Sequence, residues 1–256
     1  ELVTRYGEDF VRENGLRVFT TLDWDLQKAA EDAVRAFAEQ NIAYGAHNAA
    51  LAAIDPRTGE ILAMAGSRDW FGSSEPADCV SGASCVFDPK LNVATALPGR
   101  QPGSAFKPFV YAEAFLKGAT DQTIVVDEPT NFGVWGDKEY APQNYDGKFR
   151  GPVTLRSALA QSLNVPSVKV LADIAGLQDS IELAKRMGIT TLTREPSFYG
   201  LALVLGGGEV RLLDMVSAYG VFANAGKRVP PFAVARVEDS GGSVLEQRGG
   251  QTQSVL

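Results

Sequence analysis

Pro108 fixes where a helix can begin. A proline ring fits only the first turn of an α-helix, because deeper in it clashes with the carbonyl four residues back, here that of Ser104. The segment Arg100-Gln101-Pro102-Gly103-Ser104-Ala105-Phe106-Lys107-Pro108-Phe109-Val110-Tyr111 therefore enters its helix very close to Ser104. That puts a hydroxyl and an amine three residues apart on one helix face. The hydroxyl also lies at the positive end of the helix dipole, where a developing oxyanion is favoured. Phe106 precedes Lys107, and Phe109-Val110-Tyr111-Ala112 follow it. A lysine in such apolar company either snorkels or loses solvent, and a desolvated amine has the lowered pKa that a general base needs.

Ser-x-x-Lys is a weak signal by itself. Without its context, Ser104 reads as a helix N-cap and Lys107 as a solvated first-turn lysine. A second element, Ser162-Leu163-Asn164, has an ordinary alternative too: Leu163, Val165 and Val168 as packing residues, with Pro166 setting a bend. Other nucleophile schemes do worse. There is no Gly-x-Ser-x-Gly elbow, and a Ser-His-Asp triad would rest on His47, the sole histidine. Gly206-Gly207-Gly208 lacks the Lys-Ser/Thr ending of a phosphate loop and reads as a turn ahead of a helix. Among many acids no carboxylate pair stands out as a hydrolase site.

The 256 residues suffice for a sizeable core. A net charge of −7 argues against a nucleic-acid partner. No run approaches the roughly 20 apolar residues of a membrane span, and the N-terminus does not read as a signal peptide. The chain does not start with Met, so a piece of a longer protein is expected. Cys79 and Cys85 are either two separate thiols or a small disulfide-closed loop, which needs an oxidising compartment. With one histidine and no second cysteine pair, no metal site is expected.

Residues 1–15 show no core pattern. A strand is expected over 16–22, then Asp23 as N-cap of a helix with Leu26, Ala29, Ala30, Ala33, Val34 and Phe37 on its apolar face. Residues 49–54 and 60–65 flank Asp55-Pro56-Arg57-Thr58-Gly59 as a hairpin, and their unbroken apolar runs predict cover on both faces. A long functional loop (67–90) and a helix (104–117, ended by Gly118) follow. Residues 118–152 read as irregular. Helices are expected over 153–175, over 178–187 and from Val210 to Phe222, then a hairpin of 232–237 with 243–245. Helices and hairpins without βαβ alternation give an α+β class.

The two motifs resemble two of the three active-site elements of penicillin-binding transpeptidases and serine β-lactamases. The resemblance extends to Gly15–Asp23 with Leu26-Gln27, to Ala53–Ala63, and to Asn92-Val93-Ala94-Thr95. It continues through Asn144-Tyr145-Asp146-Gly147, Ala158–Pro166 and Ala218–Gly226, so that nearly the whole chain is similar to class A (bifunctional) penicillin-binding proteins. It implies helices packed on an antiparallel sheet, with residues 1–45 as a strand and helix leading into a transpeptidase domain at 46–256. It implies a D,D-transpeptidase, without metal or organic cofactor, that cross-links peptidoglycan stem peptides ending in D-Ala-D-Ala. Ser104 would form the acyl-enzyme, Lys107 would take its proton, Ser162 would relay a proton to the leaving amine, and Asn164 would orient Lys107 and hold the substrate amide. β-Lactams would acylate Ser104. The intact protein would carry an upstream glycosyltransferase domain and a membrane anchor, and would act outside the cytoplasmic membrane.

One departure stands out: the family's third motif, Lys-Thr-Gly or Lys-Ser-Gly, is absent from the sequence. In the family that strand supplies a cation for the substrate carboxylate and an oxyanion-hole donor, and losing one such donor costs about 10²–10³ in rate. Its absence predicts an unpaired apolar edge on the 49–65 hairpin, and truncation is favoured over a partner chain as the reason. The chain alone is expected to be a poor enzyme. Two other readings are a β-lactamase-like hydrolase or penicillin sensor, which would need a deacylating base, and a catalytically silent scaffold.

Overall fold

A computed structural model describes residues 1–135 and 138–256. The chain forms two compact units, one of residues 1–96 with 215–255 and the other of 97–214.

In the first unit, strand Val234–Glu238 lies between Arg17–Thr20 and Val244–Gln247 in an antiparallel sheet. Val237 is fully buried there. Two short helices, Leu2–Tyr6 and Glu8–Glu13, precede the sheet and bury no residue. Both Arg5 Nη1 (2.6 Å) and Tyr6 OH (2.8 Å) donate to Glu246.

Asp23 caps the helix Trp24–Asn41, accepting from the Leu26 N–H at 3.0 Å. The buried face differs from the expected one. It consists of Gln27, Ala30, Val34 and Ala38, while Phe37 is 61% exposed and Leu26 is also exposed. A polar residue sets the register. The Gln27 amide receives the Met64 N–H at 2.8 Å and donates to the Met64 carbonyl at 3.2 Å, completing the backbone bonding of strand Ile61–Ala65. Small Ala30 and Ala38 on the same face allow close approach.

The hairpin forms, with Leu51–Ile54 antiparallel to Ile61–Ala65. Among the described residues Leu51–Ile54 has no other strand partner, and all four of its residues are only half-buried, so the expected cover on both faces is lacking. The 67–90 loop is closed by a Cys79–Cys85 disulfide with a Cα–Cα distance of 4.9 Å. Arg68 stacks over Phe87 at 4.0 Å, and Lys90 lies over Trp70 at 4.4 Å.

In the second unit a 3₁₀ turn, Gly103–Phe106, runs into the helix Lys107–Leu116. Phe106, Phe109, Val110 and Ala114 are fully buried. The stretch expected to be irregular holds paired strands. Ile124–Asp127 lies antiparallel to Gly151–Thr154, and Val134–Trp135 to Lys138–Glu139. The β-branched run Ile124-Val125-Val126 drives the first pair, although Pro152 and Gly151 disguise its partner.

The expected 153–175 helix is broken into Leu155–Ala160, Asn164–Lys169 and a π-helical turn Val170–Ala175. Pro166 sets no bend, because it sits in the first turn of Asn164–Lys169, where it is tolerated. Helix Leu177–Met187 ends at Gly188, as expected. Helix Leu212–Ala223 starts two residues later than expected, since Val210 pairs with Arg100 as a β-bridge instead.

The shifted helix face is testable by chemical denaturation. Phe109→Ala is expected to cost about 3–5 kcal/mol. Phe37→Ala is expected to stay within about 0.5 kcal/mol, whereas a Phe37 packed in the core would cost as much as Phe109.

Candidate active site

Lys107 is 1% exposed, yet carries an amine. Its helix begins at residue 107 itself, with Pro108 in the first turn, so the side chain rises beside Ser104. Four oxygens surround Nζ: Ser162 O at 2.7 Å, Asn164 Oδ1 at 2.8 Å, Ser104 Oγ at 3.0 Å and Ser162 Oγ at 3.0 Å. An amine nitrogen has three positions beyond its carbon, either three N–H groups or two and a lone pair. The two carbonyl oxygens can only accept, so they take two N–H groups. The remaining position is left to the two serine hydroxyls. When the amine is neutral that position is the lone pair, and a hydroxyl proton can be drawn to it.

Burial pulls the Lys107 pKa down from 10.5 to about 8, so a neutral fraction exists near physiological pH. Among the described residues Lys107 has no carboxylate ion-pair partner to oppose that shift.

The structure thus brings together all four predicted side chains, Ser104, Lys107, Ser162 and Asn164. The break in the expected long helix is what allows it. Ser162 adopts φ +54°, a left-handed conformation that is unusual for a residue with a side chain. This turn aims both its carbonyl and its hydroxyl at Lys107, then releases the chain into helix Asn164–Lys169. Tyr111 OH meets Ser167 Oγ at 3.0 Å, and Ser167 donates to the Leu163 carbonyl at 2.6 Å, tying the two motif-bearing helices together.

Gly206 contributes by having no side chain. It sits at φ +86°, and a Cβ there would collide with the backbone N and Cα of Gly103, just before the serine. Arg100 and Val210 exchange backbone hydrogen bonds at 3.0 and 2.8 Å along the same approach. The glycine run is therefore a seat for the Ser104 turn, more than the plain turn expected from its sequence. Gln143 and Asn144 were not singled out as site residues, yet both hydrogen-bond Asn164. Asn144 had a signal in the Asn144-Tyr145-Asp146-Gly147 run, which carried resemblance without a chemical role, and Gln143 just before it had none.

Residues 49–255 match the family described as the penicillin binding protein transpeptidase domain. The chain belongs to the penicillin-binding protein transpeptidase family. This is a family of penicillin-binding, serine acyl-transfer enzymes, and the domain shares its α+β fold. The domain is 36% identical over 251 residues to penicillin-binding protein 2D of Bacillus subtilis (strain 168), covering 96% of this chain and 32% of that protein. It is 36% identical over 207 residues to penicillin-binding protein 1A of Aquifex aeolicus, covering 80% and 25% respectively. It therefore spans about a third or less of these curated relatives.

Among solved structures, PonA1 of Mycobacterium tuberculosis in complex with penicillin V superposes with TM-score 0.74 at 26% identity, covering 96% of this chain and 62% of that one. Penicillin-binding protein 1A of Haemophilus influenzae gives TM-score 0.80 at 21% identity, over 99% and 49%, a likeness of fold.

The left-handed turn predicts a separation of stability from chemistry. Ser162→Ala and Ser162→Gly both remove the hydroxyl, but only glycine relieves the backbone, by about 1 kcal/mol. The glycine variant is expected to be the more stable of the two in denaturation while both lose acylation. Equal stability would show that the turn is unstrained.

Proposed function

We propose that the domain is a peptidoglycan D,D-transpeptidase that works through a Ser104 acyl-enzyme and is a target of β-lactams. The carrying observation is the Lys107 amine, held within 3.0 Å of both serine hydroxyls with its third position turned to them. Ser104 Oγ attacks the carbonyl of the penultimate D-Ala, and its proton passes to neutral Lys107 Nζ. Collapse of the tetrahedral intermediate breaks the peptide C–N bond. Ser162, bridging Lys107 and the leaving group, delivers a proton to the departing D-Ala amine. The amine of a second stem peptide then attacks the ester, loses its proton through the same groups, and leaves Ser104 free and a new amide formed. With a β-lactam, the broken C–N bond belongs to the ring, so the leaving amine stays tethered and the acyl group persists.

The upstream partner in this reading is a glycosyltransferase domain of the intact class A protein. The place of action is the outer face of the cytoplasmic membrane, with the intact protein anchored there. None of the described helices is long and apolar enough to cross a membrane. The sequence contains no Lys-Thr-Gly or Lys-Ser-Gly. The isolated chain is accordingly expected to turn over D-Ala-D-Ala substrates slowly, by about 10²–10³ for a missing oxyanion donor.

Intact mass after incubation with a penicillin tests the nucleophile. One drug mass is expected on the wild type and none on Ser104→Ala, and an adduct that survives in the variant would move the nucleophile elsewhere. The base is tested by pH. The acylation rate constant is expected to climb about tenfold per unit below pH 8 and level off above it, and Lys107→Met to lower the plateau by roughly 10²–10⁴. A rate constant that is flat between pH 6 and 8 contradicts Lys107 as the base.

A further inference from the structure

Asn164 presents an acceptor, not a donor, to Lys107, and its own side chain cannot enforce that choice. An amide side chain has an oxygen end and an NH₂ end of nearly equal shape. Turned over, it would aim N–H groups at the amine. Two adjacent residues from another loop hold it in place, Gln143 by opposing the turn and Asn144 by fixing the Asn164 backbone. The Gln143 carbonyl, which can only accept, takes Asn164 Nδ2–H at 2.8 Å. That leaves Oδ1 facing Lys107 Nζ, also at 2.8 Å. Asn144 Oδ1 meanwhile accepts the Asn164 backbone N–H at 2.8 Å, satisfying a donor that the first turn of helix Asn164–Lys169 leaves without an intrahelical partner.

Asn144 is oriented by the same device one step further out. Its Nδ2 faces both oxygens of Asp127, each at 2.9 Å, and the Lys148 carbonyl at 2.8 Å. Asp127 is fully buried, and Arg150 N donates to it at 3.0 Å. The Arg150 guanidinium pairs with Asp146 instead. Among the described residues, then, the Asp127 carboxylate is held by N–H groups, and the Arg150 guanidinium acts on it as a charge through space without a direct ion pair. Burying a carboxylate that no cation touches directly is costly. A loop anchor alone would not require it, since neutral groups can pin a turn. What a carboxylate adds is polarity: it accepts on both oxygens, so the Asn144 amide can take only one orientation.

We propose that Asp127, Asn144 and the Gln143 carbonyl form a clamp that fixes the orientation of Asn164 and thereby the position and basicity of the Lys107 amine. Asn144 and Asp127 are positioning residues, and this inference rests on the acyl-transfer reading above only for its consequence in rate. The sign follows from the contact. A carbonyl oxygen stabilises the charged amine more than the neutral one. Losing it, or replacing it with an NH₂ group, lowers the Lys107 pKa further. The groups that contact Nζ are Ser104, Ser162 and Asn164, all uncharged, and Asp127 reaches it only through Asn144 and Asn164.

The test reads the lysine directly. The ¹³Cε resonance of Lys107, assigned by its loss in Lys107→Met, is titrated in the wild type, in Asn144→Ala and in the near-isosteric Asp127→Asn. A midpoint lower in both variants than in the wild type is expected, and variants that titrate with the wild type overturn the clamp. Asp127→Asn guards against the chance that Asn144→Ala fails to fold. The companion measurement is penicillin acylation. About 10²-fold slower acylation is expected in the variants, from a displaced base, with the non-covalent dissociation constant within twofold. Wild-type protein that never acylates would count against the proposed function, while the titration still decides the clamp.

Discussion

The second unit is organised around one awkward group, a lysine amine placed where water does not reach. A buried cation without a counter-ion is expensive, and Lys107 has no such partner among the described residues. The molecule answers by lowering the amine's pKa to about 8 and surrounding it with four oxygens. The departures from regular structure nearby serve that arrangement. The helix starts at Lys107, the next long helix breaks at Ser162 with φ +54°, and Gly206 gives up a side chain so that the Gly103-Ser104 turn can sit down on it. Stability is spent at each of these points, and each aims an oxygen or a hydroxyl at the same nitrogen.

This explains why the site is built from polar contacts within an otherwise apolar core. Phe106, Phe109 and Val110 in the turn and helix of the first motif, and Val165 and Val168 on the helix of the second, are all fully buried. Both residues of the second motif, Ser162 and Asn164, reach the amine, as do one side chain and one backbone carbonyl from Ser162 alone. An amine buried this way, with its pKa lowered to about 8, is partly neutral near physiological pH, where a solvated lysine would remain charged.

Much of this was legible in the residues. Pro108 located the helix start, the apolar flanks of Lys107 left snorkelling or desolvation, of which the structure shows the second, and the spacing of Ser104 to Lys107 forecast their contact. The form of the break at Ser162 was not legible: Pro166 reads as a bend, whereas by the rule that placed Pro108 it marks a new first turn, and only the backbone torsion reveals the left-handed residue before it. The face of helix Trp24–Asn41 was misread for a related reason. Apolar spacing favoured Phe37, but the Gln27 amide, bonded to the Met64 backbone, decided the register. Strand Gly151–Thr154 was hidden by its own glycine and proline. Asp127 and Asn144 left no periodic trace, since a side chain that orients another through one hydrogen bond has no characteristic spacing.

In the proposed acyl transfer the Lys107 amine activates Ser104 through its own basicity. That role can be tested by changing the basicity alone. With Cys79 and Cys85 held in their disulfide, Lys107→Cys offers one free thiol, which alkylation converts to an aminoethyl side chain of lysine-like reach and lower basicity. Acylation of Ser104, lost in the cysteine variant, is expected to return on alkylation with its pH midpoint displaced to lower pH. Acylation that returns with the wild-type midpoint, or that never depended on the amine, would contradict it.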